Sequence, residues 1–116
     1  LLTHGVSAAG FVCLAPDYRG WGDSGGERGR LAPLEQVDDI RNGLTWLEMQ
    51  PFVDTTRMCA FGASFGGLIA PYVAAMDKRV VATCGMVGVG DGMEAATNNR
   101  TPEEMQDMLD KTALHM

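Results

Sequence analysis

Three apolar runs of strand length punctuate the chain: FVCLAP at 11–16, RMCAFG at 57–62 and RVVATCG at 79–85. Each is continuous rather than alternating, the pattern of a strand buried on both faces. The stretches between them change period. From Pro33, Leu34, Val37, Ile40, Leu44 and Leu47 step by three or four residues, with Asp38, Asp39, Arg41 and Glu48 off that stripe. This predicts an amphipathic helix opened by a proline in its first turn, with Glu35 at the positive end of its dipole and Pro51 beyond its end. Gly43 lies inside it and weakens it by about 1 kcal/mol relative to alanine. A second helix starts just after Ser64 and runs through GGLIAPYVAAM, with a kink expected at Pro71.

The two ends are helical as well. Leu2, Val6 and Ala9 share one face and Gly10 supplies a stop, so the chain opens on the last turns of a helix. TPEEMQDMLDKTAL starts with Thr101 as a cap, Pro102 in the first turn and Glu104 completing a capping box. Met105, Met108 and Leu109 give this helix a narrow apolar face, fitting either an ordinary surface helix or an adaptable wall of a lid over a pocket. Strands joined by helical crossovers predict an α/β fold, a parallel sheet with helices on both faces. Residues 1–92 form the core strands and helices, and 93–116 the start of a lid or cap insertion. With neither an initiator methionine nor a cap at either end, the 116 residues are expected to be an internal part of one larger domain.

Composition narrows the function classes. A formal charge of −6, with acids spread along the chain, lacks the basic face that nucleic acid requires. No apolar run approaches the ~20 residues needed to span a bilayer, and no secretory leader is visible. Cys13, Cys59 and Cys84 sit one in each apolar run, so all three are expected to be reduced and buried. No cysteine–histidine spacing suggests a metal, and the odd count argues against a disulfide framework. A reducing, cytoplasmic setting follows from that reading.

The chemistry concentrates in GASFGG at 62–67, where Ser64 is surrounded by very small residues with Phe65 as the bulky exception. The spacing Gly62-x-Ser64-x-Gly66 falls where a predicted strand meets a predicted helix. That is the context of a nucleophile elbow, a strained turn that projects a serine hydroxyl above the sheet. Gly62 and Gly66 are then small because a Cβ would collide where strand and helix cross, and Gly67 lets the helix pack closely. A plain strand–turn–helix without chemistry is the competing reading.

The chain also resembles the α/β-hydrolase superfamily over essentially its whole length. APDYRGWGDSGG is similar to the segment after that fold's fourth strand, FVDTTRMCAFGASFGG to the approach to its fifth strand and elbow, and AAMDKRVVATCG to the entry of its sixth. The nearest flavour is that of dienelactone-hydrolase-like and Xaa-Pro dipeptidyl-peptidase-like proteins, which include many acyl esterases. The resemblance implies Ser64 as nucleophile and the Phe65 backbone N–H as an oxyanion donor. It places a second donor before Leu1, and the catalytic histidine and acid beyond Met116. It gives Asp17 and Arg19 the role of ordering the loop beside the site.

Three other candidates remain. His4 precedes the elbow, where the family's topology does not place the base. His115 follows the elbow but sits on the lid helix. Asp91 lies just past the third run, where some lipases carry the acid, and is equally a turn residue between two glycines. The function implied is hydrolysis of a carboxylic ester, or of a peptide or amide bond, through an acyl-enzyme on Ser64. The substrate is expected to be a small-molecule ester or short peptide, with no cofactor, no nucleic acid and no membrane. The alternatives are a thioester or C–C hydrolase using the same serine, and a non-catalytic binding module that keeps the elbow as architecture.

Overall fold

The computed structural model describes residues 2–86 and 101–113. In chain order the elements are helix α1 (Leu2–Ala8), helix α2 (Pro33–Glu48), strand β1 (Met58–Ala63), helix α3 (Phe65–Met76), strand β2 (Val80–Met86) and helix α4 (Pro102–Ala113). β1 and β2 pair in parallel, with Phe61 opposite Cys84 and Gly62 opposite Gly85. A parallel pair needs a crossover, and α3 supplies it. α3 lies against both strands and α2 packs against α3. This is the α/β architecture that the sequence implies.

Local chemistry sets most boundaries. α1 stops where Gly10 adopts φ +99°, a conformation open to glycine. α2 opens with Pro33 in its first turn, and the Ala32 N–H donates to the Gln36 side-chain oxygen at 2.9 Å. β1 is preceded by a turn in which Asp54 accepts from the Thr56 hydroxyl at 2.6 Å, the Thr56 N–H at 3.0 Å and Arg57 Nε at 2.7 Å. Those bonds, the Thr56 hydroxyl foremost, hold the Asp54 carboxyl at about 2. α4 carries the expected capping box: Glu104 N–H donates to Thr101 Oγ at 3.2 Å, and Thr101 N–H donates to Glu104 Oε2 at 2.8 Å.

The core joins Val37 and Leu44 of α2, Met58 and Ala60 of β1, Ile69, Ala70 and Val73 of α3, and Val80 of β2. Ile40 and Leu47 pack at its margin, whereas Leu34 of the predicted stripe is exposed. Burial on α2 begins at Gln36, two residues beyond it. α3 continues helically through Pro71.

Two expectations are corrected. The run at 11–16 is not a strand; it is irregular and exposed. Apolar character alone does not make a strand, because a ladder needs a partner. β1 pairs only with β2, and nothing among the described residues pairs with 11–16. The run instead crosses α2: a Cβ on Gly43 would lie 3.2 Å from Leu14 Cδ2 and 4.0 Å from Pro16 Cγ, which accounts for a glycine inside that helix. The cysteines are corrected too. Cys13, Cys59 and Cys84 are unpaired but all exposed. Cys13 is on the unladdered run, while Cys59 alternates with buried Met58 and Ala60 and so faces away from α3. Helices cover one face of the sheet among the described residues; the other exposes Cys59, Phe61 and, opposite Phe61, Cys84.

Candidate active site

Ser64 occupies the single residue between β1 and α3. Its φ of 55° and ψ of −118° make it the one non-glycine residue with positive φ among those described. Such a conformation costs on the order of 1–3 kcal/mol and persists only where its surroundings fix it. On one side the Ser64 N–H donates to the Met86 carbonyl at 3.0 Å, extending the sheet ladder into the turn. On the other the Ser64 carbonyl accepts from the Gly67 N–H at 2.9 Å, which starts the helix. The side chain makes no capping bond and the residue is exposed. The sheet and the helix both use the serine's backbone, and the helix does not use its side chain as a cap.

The glycines divide into those the turn needs and one it does not. A Cβ on Gly62 would run into the Gly66 carbonyl, so the strand can approach the helix only if Gly62 is bare. A Cβ on Gly85 would stand 2.7 Å from the Gly67 carbonyl oxygen, so β2 meets α3 equally closely. A Cβ on Gly66 would meet nothing within 4 Å, which corrects the expectation that it too avoids a collision. Nothing in the structure explains the glycine at 66.

The loop that precedes α2 reaches this turn. Asp17 Oδ2 accepts from the Asp23 N–H at 3.0 Å, and the Asp17 carbonyl accepts from the Ser24 hydroxyl at 2.6 Å. Trp21 Nε1 donates to the Arg30 carbonyl at 2.8 Å. Gly20 takes φ +78°, and a Cβ there would strike the Glu27 carbonyl. The loop is fastened to α2 twice. Arg30 donates to both carboxylate oxygens of Glu35, at 2.7 and 2.8 Å. Arg19 places its backbone N–H on Asp39 Oδ2 at 2.9 Å and its Nε on Asp39 Oδ1 at 2.8 Å. Asp17 and Arg19 thus order the loop, as their resemblance implied.

Between those anchors Tyr18 turns its ring toward α3. Its centroid lies 6.2 Å from that of Phe65, with the rings at 89°, an edge-to-face pair. Burial pushes the Tyr18 phenol up, and the negative charge of Asp39 adds to that. Sequence reasoning passed over Tyr18 and Asp39, since their partners lie 47 and 20 positions away (65 − 18; 39 − 19) and no local spacing pairs them. A second cluster, also unforeseen, joins the far ends of α2 and α3. Buried Asp77 accepts from Arg79 Nε at 2.9 Å and from Arg41 Nε at 3.3 Å, and Arg79 also reaches Glu48 Oε1 at 3.1 Å.

The remaining candidates do not join Ser64. His4 is exposed in α1. Asp91 and His115 lie outside the described residues, as does all of 87–100. Among the described residues no group of His, Cys, Asp and Glu could hold a metal ion, and no helix is long and apolar enough to cross a membrane.

Comparison with known proteins adds to this geometry. A family profile described as the prolyl oligopeptidase family matches residues 3–111. The chain is 38% identical over 106 residues to a 31.7 kDa Escherichia coli protein of the traX–finO intergenic region, covering 91% of this chain and 37% of that protein. It is 42% identical over 82 residues to a thiohydrolase of Eupenicillium brefeldianum, covering 67% and 27%. It is 34% identical over 107 residues to a polyketide transferase of a Penicillium species, covering 91% and 34%. The chain therefore spans between about a quarter and little more than a third of the length of these curated relatives.

Proposed function

Because this chain belongs to the prolyl oligopeptidase family, we propose that its parent protein is a serine hydrolase that cleaves a carboxylic ester through an acyl-enzyme on Ser64. The observation that carries this reading is the conformation of Ser64: a strained φ of 55°, at a strand-to-helix junction, on a residue whose side chain caps nothing. Strain of this kind is retained where it serves a site. The Ser64 hydroxyl would attack the acyl carbon while a base, supplied from outside the described residues, takes its proton. The oxyanion would be met by the Phe65 N–H at the start of α3, a type of donor worth about 3 kcal/mol. The leaving group would depart with the proton, and water would then release the acid.

In this reading the substrate is a small-molecule ester, or a short peptide with a scissile amide. Residues 93–116 would begin a lid, with α4 as part of its wall. The three unpaired thiols suit a reducing compartment such as the cytoplasm. A thioester is the second substrate class, favoured by the relatives named thiohydrolase and polyketide transferase. The same attack on the same serine would serve either, with a thiolate leaving instead of an alkoxide.

The full-length protein should release a burst of p-nitrophenol from p-nitrophenyl acetate and carry one acetyl group on Ser64, detected by peptide mass. Ser64→Ala should abolish both. Comparing kcat/KM for an acyl thioester and the matched oxygen ester decides between the two substrate classes. A Ser64→Ala protein that turns over at the wild-type rate would end the hydrolase reading and leave a binding module that keeps the elbow only as architecture.

A further inference from the structure

The elbow is braced from two directions. From below, the sheet holds it, through the bond from the Ser64 N–H to the Met86 carbonyl. From the side it is touched by a relay that starts on α2. Asp39 receives both the backbone N–H and the guanidinium of Arg19, with its Oδ1 also 2.7 Å from the Arg19 terminal nitrogen. A residue whose main chain and side chain end on one carboxylate has little freedom left, and neither does the residue before it. That residue is Tyr18, whose ring meets that of Phe65 edge to face.

We infer that Tyr18 and Asp39 are positioning residues for the oxyanion donor, with Asp39 acting through Arg19 to hold the Tyr18 ring against Phe65 and so to fix where the Phe65 N–H points. The inference rests on the proposed role of Ser64 and Phe65. Its physical basis is that a preorganised donor works only in its place, so that a small displacement is felt in the chemical step rather than in binding. Phe65 is the first residue of α3 and follows a residue in a strained conformation. Its side chain is the handle by which that first turn can be held from outside the helix. The contact between Tyr18 and Phe65 is made ring to ring, so the ring and not the hydroxyl is what the relay uses.

The test is pre-steady-state acylation of the full-length protein by p-nitrophenyl acetate. Burst amplitude counts folded sites, burst rate reports acylation, and KM is measured separately. Tyr18→Ala is expected to slow acylation about fivefold, the scale of one aromatic pair, with burst amplitude and KM held. Tyr18→Phe, which keeps the ring, should restore the rate. Asp39→Asn should slow acylation about threefold, since it removes the ion pair while leaving an acceptor for the Arg19 N–H. A fall in amplitude with an unchanged rate per site, in both the Tyr18→Ala and the Asp39→Asn proteins, would mean a structural role only and overturn the inference. So would a Tyr18→Phe protein as slow as Tyr18→Ala, which would shift the role to the hydroxyl. Wild-type acylation in both disrupted variants, with Ser64→Ala inactive, would sink the relay and leave the serine hydrolase standing. Activity in Ser64→Ala would remove the premise instead.

Discussion

The two faces of the β1–β2 sheet are made from the same kind of sequence and meet opposite environments. On one, Met58, Ala60 and Val80 are buried under Ile69, Ala70 and Val73 of α3. On the other, Phe61 stays 45% exposed, and Cys59 and Cys84 are exposed with it. The continuous apolar runs at 57–62 and 79–85 suit a strand covered twice. Burial, however, is decided by what lies alongside and not by the run itself. Exposed apolar surface of this kind is the sort on which protein contacts and ligand grooves are found.

The largest expected effect separates the two faces directly. Ile69→Ala should lower the stability of the 116-residue chain by about 2–5 kcal/mol, because its side chain is fully enclosed and leaves a cavity. Phe61→Ala, on the uncovered face, should cost about 0.5 kcal/mol or less by the same denaturant titration. Cys59 and Cys84 should then react with a thiol reagent in the native chain. Equal losses for the two variants, or protected thiols, would show that the second face is covered in solution. In the full-length protein a large loss for Phe61→Ala would locate the missing layer on that face.

What the sequence disclosed follows the same division between local and distant causes. α2, α3, β1 and β2 lie within a residue or two of their expected bounds, because periodicity, prolines and glycines act within a few positions. The Thr101–Glu104 box and the Gly10 stop are local for the same reason. The turn at Ser64 was legible because strand, glycine and helix adjoin in sequence. The run at 11–16 has a strand's composition and no ladder, since strand formation depends on a neighbour, and the cysteines lie in apolar runs yet are exposed, since burial depends on a second layer. Tyr18 against Phe65, Arg19 on Asp39 and Arg41 on Asp77 join residues 20 or more apart, and no pattern along the chain announces them.

The next effect in size tests whether the covered face depends on the tight turn. Gly62→Ala would press a methyl group into the Gly66 carbonyl, between two backbones that have no flexible side chain to move aside. A loss of about 1–3 kcal/mol is expected, with β1 and α3 forced apart. Gly66→Ala meets open space and should be neutral or slightly stabilising, since alanine favours the helix by up to about 1 kcal/mol over glycine. Thermal unfolding of the pair checks this. If Gly66→Ala were the more damaging of the two, the strand–helix crossing would differ from the one described.

The smallest effect concerns pH and the far end of the covered face, where Asp77 closes α3 and receives Arg79 and Arg41. The hydrogen bonds from the Arg79 side chain hold its carboxyl well below the usual carboxylate range, against the opposing influence of burial. In the unfolded chain the same carboxyl titrates near its ordinary value of about 3.9. The folded state therefore binds fewer protons in the interval between the two values. The stabilisation is fully present above about pH 4, near that unfolded value, and is lost as pH falls toward the lower folded one. Asp77→Asn should lower stability at pH 7 by about 1–2 kcal/mol, the scale of hydrogen bonds to a charged group. It should also flatten the acid limb of the stability curve below about pH 4. Urea titrations at pH 7, 4 and 3 measure both. A variant that loses stability at pH 7 yet keeps the wild-type slope below pH 4 would assign the acid sensitivity to other carboxylates, leaving Asp77 as a helix terminus that α2 does not need.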